Sequence, residues 1–568
     1  MGRQKFVART LSPFLVSISI YLILASMAIQ KPMAGDDLYT LEEARGYETG
    51  TYRVFALGHD LTFEHVPLYS LCLAFLRRLF GENIIVFRSV GVVSLCFVLF
   101  LLSRYPFLVL PNSQWAKRVA WIAPLLVATH PAAVQASVAL VWDSTLFPPF
   151  FTLFCLVWLA TSVSTTVSLI GLSSLYGLCL WTRTTSSLIL PVSWLIWIFL
   201  FRPQRKEALH LFIVFLGRLL LFAVSWTIFV FFTWGPAHLW TPFTYLVGKF
   251  GKPYSLEDRI QDFVRFLFWF GIPWLVLFTV SLLKRIPESL LPCKDRLNFL
   301  RVVIFLGIPV YCVTTTSSWG YPKFLTPFIP IATFFFVSLL TEGWPVFKRK
   351  ESVSLCLLSG AVLLLAFFFI KDPLYELCYA LKKSLMLGLS LGKEFPRILW
   401  LFGFPSLLLL ATLWTTGRLV KGRVGFFSSL TLGCCVATFS MQLPFAALQA
   451  HAPYPTISLY GDREKGQVIA LLKQKIPPEA LILAPELTIV YEAGNRAKYL
   501  GGPSWHDPAA FLNTLRTEDP QVVVYSFSTL SIHSYRKVVQ DPEVQEELKR
   551  RFTQRTIGDY TLWFRREK

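Results

Sequence analysis

Apolar runs of roughly 17 to 25 residues recur along most of this chain, each long enough to cross a bilayer as a helix. They fall near 11–30, 83–103, 119–136, 144–162, 167–182, 185–201, 208–234, 263–283, 300–316, 324–341, 352–370, 398–416 and 425–446, about 13 spans in all. In lipid every backbone polar group must be satisfied within its own segment, which favours helices over any open sheet. The first run, Leu11 to Gln30, is too long for a signal-peptide core and lacks a small-residue cleavage site, so it reads as an anchor. From about Tyr454 the pattern changes. Polar stretches (Gly461–Gln474, Pro508–Arg516, Pro542–Arg551) alternate with short apolar runs (Ala480–Ala484, Val522–Tyr525, Tyr560–Phe564), the mark of a small α/β domain. Ala452–Pro455 reads as the linker, and no internal repeat is visible. The expected fold is therefore an α-helical polytopic membrane domain over 1–450, including a first extracytoplasmic loop 31–80, followed by a C-terminal α/β extracytoplasmic domain over 451–568.

Composition agrees with this pattern. The 568 residues are 54% hydrophobic and only 15% charged, whereas soluble domains carry about 25% charged residues. The formal charge of +20 does not imply nucleic acid, because the excess sits in short loops and basic and acidic residues nearly cancel from Gly461 onward. Positive loops set orientation. Arg3, Lys5 and Arg9 place the N-terminus in the cytoplasm, and alternation then puts five basic sets inside. These are Arg104, Lys117 and Arg118; Arg202, Arg205 and Lys206; Lys284, Arg285, Lys294 and Arg296; Lys348, Arg349 and Lys350; and Arg418, Lys421 and Arg423. The first loop and the C-terminal region then face outward. The ten cysteines form neither a disulfide framework nor a metal spacing, since most lie inside apolar runs.

Charged residues near a membrane boundary are costly and so point to function. Asp36 and Asp37 follow the first span in Gly35–Asp36–Asp37–Leu38–Tyr39. A partly desolvated carboxylate there suits a general base, and an Asp at a helix start suits capping equally well. Glu64–His65–Val66–Pro67–Leu68–Tyr69 leads into a stretch ending at Arg77 and Arg78. Its Pro also fits the start of an interfacial helix, whose arginines would then meet lipid headgroups. Asp143, Arg183, Lys249, Lys252 and Lys323 fall outward on the same topology. Cations at that depth neutralise phosphate oxygens, or simply snorkel at the boundary. His130–Pro131 reads as a kink with a satisfied imidazole.

An acidic pair after the first span, a His-x-Pro-Leu-Tyr element, an Asp beyond the third span and an aromatic-Lys-x-Leu-x-Pro lip resemble the GT-C glycosyltransferases. The nearest group is similar to the protein O-mannosyltransferases and lipid A aminoarabinose transferases, glycosyltransferase families 39 and 83. The resemblance spans nearly the whole chain. It implies a membrane glycosyltransferase that moves a sugar from a polyprenyl-phosphate carrier to an extracytoplasmic lipid, glycan or protein, with inversion; the lack of a large luminal insertion between spans favours a bacterial inner membrane over an endoplasmic reticulum. By position, Asp36 matches the loop Asp that activates or orients the acceptor, with Asp37 in the next acidic slot. The family pattern is usually Asp-Glu with a later Tyr, and here Tyr39 comes early. Glu64, His65 and Asp143 match positions that orient donor and acceptor, Arg183 falls where members often carry Lys, and Lys323 replaces the Arg of an Arg-Tyr-Leu-x-Pro element. With Lys249 and Lys252 these cations would hold the carrier phosphate. No metal set is evident, although Asp36, Asp37, Glu64, His65 and Asp143 could assemble a divalent-cation site, as in oligosaccharyltransferase relatives. The rival class is a polytopic transporter or lipid-linked sugar flippase, which commonly shows repeated halves and broken helices at the midplane.

Overall fold

The computed structural model describes residues 2–31, 33, 35–49, 53–54, 59–60, 66–110, 112–140, 145–160, 166–233, 235–236, 239–240, 270–286, 288–310, 323–342, 344, 354, 357, 359–365, 403, 406–416, 426–450, 464–477, 479–494, 505, 507–526 and 533–566. Helices dominate, as the apolar runs require. Among the described residues Leu11–Ala28, Ile84–Val109, Arg205–Thr233 and Leu430–Ala447 are long and apolar enough to cross a membrane. Two bent pairs bring these four to six. Other expected spans are shorter helices (Phe147–Ala160, Ile272–Leu283, Leu325–Leu340, Ser406–Thr416), and parts of the runs near 263–283, 300–316, 352–370 and 398–416 lie outside the described residues. Side chains such as Phe199, Phe232 and Leu283 are at least 80% exposed. Apolar side chains so uncovered on long apolar helices are faces for lipid, since in water they would be an association hazard.

Helix α1 (Gly2–Ala28) packs against the Ser113–Ala128 helix and, through Phe14 and Phe100, against α4 (Ile84–Arg104). Between them the first loop folds into α2 (Gly35–Thr49), a two-residue hairpin of β1 (Arg53–Val54) and β2 (His59–Asp60), and α3 (Leu68–Phe80). Pro67 precedes α3 as the sequence suggests, and α3 lies against α2. Its outer side shows Leu71, Phe75, Leu79 and Phe80, all exposed, while Tyr69, Ser70, Leu73 and Ala74 face inward. Arg77 does not reach outward to headgroups. It pairs with Glu48 at 2.5 Å and with Glu82 at 3.6 Å, because those two acids flank it.

The two ends of the helical part differ in the polar side chains they carry. At one end basic side chains close helix termini: Arg118 donates to the Thr341 carbonyl at 3.3 Å, Lys284 to Leu339 at 2.6 Å, and Arg296 to Leu159 at 3.2 Å. Arg296 also faces Glu207 at 3.5 Å. Cations suit the carbonyl-rich C-terminal ends of helices, and these are residues of the loops expected inside. α1 delivers its C-terminus, α2 and the start of α4 to the other end. There the Gln114–Ala128 and Pro131–Ser137 helices meet at 65° across Thr129–His130. The kink at His130–Pro131 is as expected, but its imidazole is not satisfied. Neither ring nitrogen has a hydrogen-bond partner among the described residues, because aromatic edges surround it, Phe270 at 4.9 Å and Trp274 at 6.2 Å.

The C-terminal strands are β3 (Ile482–Leu483), β4 (Val522–Ser526), β5 (Phe552–Ile557) and β6 (Tyr560–Arg565), in the order β3-β4-β6-β5. β3 runs parallel to β4, and the other pairings are antiparallel. β4 is buried on both faces: Val523 and Tyr525 join a core with Trp505, Phe511 and Leu548, whereas Val522 and Val524 join Val468, Leu472 and Ile489. That explains its unbroken apolar run.

Candidate functional site

The end of the bundle that carries α2 is organised around Asp37. This side chain is fully buried in the first turn of α2. Arg88 donates Nη2 to its Oδ2 at 2.9 Å, and the Leu140 backbone N–H donates to its Oδ1 at 2.7 Å. Arg88, in the second turn of α4, also donates Nη1 to the carbonyls of Ile29 at 2.8 Å and Lys31 at 2.5 Å. One buried ion pair therefore ties together the exit of α1, the start of α2, the first turns of α4 and the segment after Ser137. Thr40, one turn on, donates to the Leu140 carbonyl at 2.7 Å. Close packing supports the pair: a Cβ on Gly91, one turn beyond Arg88, would collide with the Ser137 carbonyl oxygen. Buried charges persist only where partners satisfy them.

Around this anchor stand further polar groups. Lys31 is buried with its Nζ 3.0 Å from Gln135 Oε1. Burial, and next the Arg88 charge, hold its amine well below the ordinary lysine range. Glu42 is raised by burial, against the opposing pull of Arg45, which bonds it directly. Arg45 also bonds Glu82 and, at 2.7 Å, the Tyr491 hydroxyl of the C-terminal region, while Tyr491 itself bonds Glu82. Ser70 of α3 bonds Glu43 of α2. The acidic loop is thus a packed, cross-linked structure.

Of the ten residues singled out by sequence, Asp37 is placed in full. Asp36 and Tyr39 lie in the first turns of α2, and Lys323 opens a 3-10 helix, Lys323–Phe328. Glu64, His65, Asp143, Lys249 and Lys252 lie outside the described residues. Arg183 sits at an extended break (φ −158°, ψ 86°) in the Thr166–Ser187 helix, which meets the Ile189–Phe201 helix at 76°. Aromatic contacts lead from α2 to this elbow: Tyr47 lies 6.5 Å from Phe229, and Phe229 lies 6.0 Å from Trp181. The Lys323–Phe328 helix packs on the Pro131–Ser137 helix, next to the segment that holds Asp37. The structure thus gathers the aspartate pair, the Arg183 elbow and the Lys323 segment at one end of the bundle.

The partner of Asp37 is not one of the expected cations. Arg88 was passed over in the sequence, although a lone charge five residues inside the apolar run 83–103 is the kind of signal that marks such a residue. Lys31, Gln135, Lys465 and Glu492 were missed as well. Asp37 also fits poorly into a divalent-cation set, because both its oxygens already accept from Arg88 and the Leu140 amide.

Two crystal structures of ArnT from Cupriavidus metallidurans are similar to this fold. One, bound to undecaprenyl phosphate, matches with a TM-score of 0.53 and 12% identity over 98% of each chain. The other, in the apo state, matches with a TM-score of 0.55 and 12% identity over 97% of each chain. No protein-family model matches the chain, and no curated protein matches it in sequence. The likeness extends over nearly the full length and gives the chain the polytopic helical fold of those two structures.

Proposed function

We propose that this chain is an integral membrane glycosyltransferase that takes a sugar from a polyprenyl-phosphate carrier and passes it, with inversion, to an acceptor at the extracytoplasmic surface. One observation carries the reading: the buried Asp37–Arg88 pair fixes the first turn of α2 at one end of the helical bundle. A transferase needs a carboxylate held there in a set position. A lipid phosphate is a serviceable leaving group, so positioning and charge stabilisation make up most of the work. The undecaprenyl phosphate bound by the similar ArnT structure supports a polyprenyl-phosphate carrier.

In this reading the two aspartates divide the labour. Asp37 is a positioning residue, its oxygens taken up by Arg88 and Leu140. Asp36, the neighbouring position about 100° around the helix, is the base that takes the acceptor's proton. Tyr39, Glu64, His65 and Asp143 orient donor and acceptor. Arg183, Lys249, Lys252 and Lys323 receive the carrier phosphate, and the leaving phosphate takes up the negative charge freed at the glycosidic oxygen. The C-terminal region from about residue 451 is a domain on the same, extracytoplasmic side.

The test is Asp36→Asn in the full-length protein. Purified variant and wild type should bind undecaprenyl phosphate equally, while envelope glycolipid and glycoprotein profiles of cells carrying the variant should lose the product made by wild type. Product retained with Asp36→Asn would refute the assignment of the base. Carrier-linked sugar moved across the membrane with no transfer to any acceptor would instead identify a flippase.

A further inference from the structure

We infer that the C-terminal unit is a positioning element of the active site, acting through a two-sided grip on the backbone of Met33; this rests on the transferase reading above. Met33 lies two residues before α2 and is itself buried. Its N–H donates to Glu492 Oε1 at 2.6 Å, and its carbonyl accepts from Lys465 Nζ at 2.7 Å. Both partners come from the far end of the chain, 459 and 432 residues away. A single linker residue thus has donor and acceptor both satisfied by another part of the molecule, the pairing that a buried backbone requires.

The grip is built for that purpose. Lys465 is the first residue of the Lys465–Lys475 helix, where a cation opposes the helix dipole, so this position has no local reason to be lysine. Its side chain is nonetheless fully buried, bonded to Glu486 Oε1 at 2.6 Å and to Thr488. Glu486 in turn accepts from the Tyr560 hydroxyl of β6 at 3.1 Å, so the amine is braced against the C-terminal sheet. Glu492 ends the Leu487–Glu492 helix, one residue after Tyr491, which meets Arg45 of α2 at 2.7 Å. Two residues upstream of Met33, the Lys31 carbonyl is held by Arg88, the partner of Asp37. The segment between α1 and α2 is therefore pinned at Lys31 by the membrane helices and at Met33 by the C-terminal unit. The second pin comes from residues 432 and 459 positions further along the chain. Through it, the C-terminal unit sets where α2 and its aspartates begin.

Hydrogen exchange and transfer kinetics on the full-length protein in lipid nanodiscs test this. Glu492→Leu and Lys465→Met should each raise amide exchange at residues 31–40. Glu492→Gln, which keeps the accepting oxygen, should restore protection. Misplacement of about 1 Å costs on the order of 100-fold in rate, so kcat should fall by roughly tenfold to 100-fold with the Kd for undecaprenyl phosphate unchanged and with Glu492→Gln near wild type. Unchanged exchange in both removal variants overturns the grip. Raised exchange with undiminished kcat overturns its positioning role. If wild type makes no transfer product, the transferase reading fails, while the exchange data still decide whether the C-terminal unit holds Met33.

Discussion

Asp37 and Arg88 show how far a residue's role can depend on distant partners. The adjacent aspartates were visible in the sequence, and so was their place at a helix start. What local sequence left open was how Asp37 is held, since that depends on Arg88, 51 residues away, and on the Leu140 amide, 103 residues away. Arg88 is 3% exposed and Asp37 0%. Breaking a buried pair by removing one member strands a charge and costs about 3 to 5 kcal/mol. Arg88→Met is therefore expected to lower the apparent melting temperature in detergent sharply and to abolish transfer. Replacing both partners, Arg88→Met with Asp37→Leu, removes the stranded charge and should recover much of the stability without recovering activity. A double variant as unstable as the single one would mean that Arg88 acts through the Ile29 and Lys31 carbonyls rather than through Asp37. His130 teaches the opposite lesson. Its proline made the kink legible, but the aromatic edges around its ring come from residues 270 and 274 and leave no local trace.

Elements were legible where periodicity or capping is strong. In the C-terminal region the expected helices appear as Lys465–Lys475, Pro508–Thr517 and Pro542–Arg551, the last two opened by capping aspartates, Asp507 and Asp541. The expected apolar runs became β3, β4 and β6. The strand β5 was missed because Phe552 is its one buried residue, so it is an edge strand with no hydrophobic pattern to read. The start of helix α2 was legible from its aspartates but the packing of its body was not, since its acids Glu42 and Glu43 are buried against Arg45 and Ser70. Between α4 and the Pro131–Ser137 helix the decisive feature is a missing side chain at Gly91. An added methyl would collide with the Ser137 backbone carbonyl, and backbone does not yield as a side-chain tip would. Gly91→Ala should push the two helices apart and destabilise the protein by about 1 to 3 kcal/mol, the usual range for overpacking. Thermal unfolding gives that number. Because Arg88 is one turn away on the same helix, transfer should fall as well. Wild-type stability and activity in this variant would show that the helix contact is slack.

At the scale of the whole molecule, two independent lines converge on one arrangement. The alternation of basic loops assigns Lys117, Arg118, Arg202, Lys284 and Arg296 to one side by charge alone. The folded chain brings Arg118, Lys284 and Arg296 onto helix termini at one end of the bundle, while Asp37, the Arg183 elbow and the Lys323 segment collect at the other. The second line is the grip on Met33: the C-terminal unit touches the segment just after α1, at the end of that 27-residue helix opposite its N-terminus. Sequence alternation and tertiary contact answer to different physics, the first to insertion and the second to folding, so their agreement is a real constraint. It predicts a labelling pattern. With the native cysteines replaced, Lys473→Cys, on an exposed position of the C-terminal unit, should react with a membrane-impermeant maleimide in intact spheroplasts. Gln4→Cys should react only after the membrane is opened. Were both labelled from the same side, α1 would not cross. Were Gln4→Cys alone labelled in intact spheroplasts, the aspartates and the C-terminal unit would face the cytosol, and the acceptor would have to be sought there.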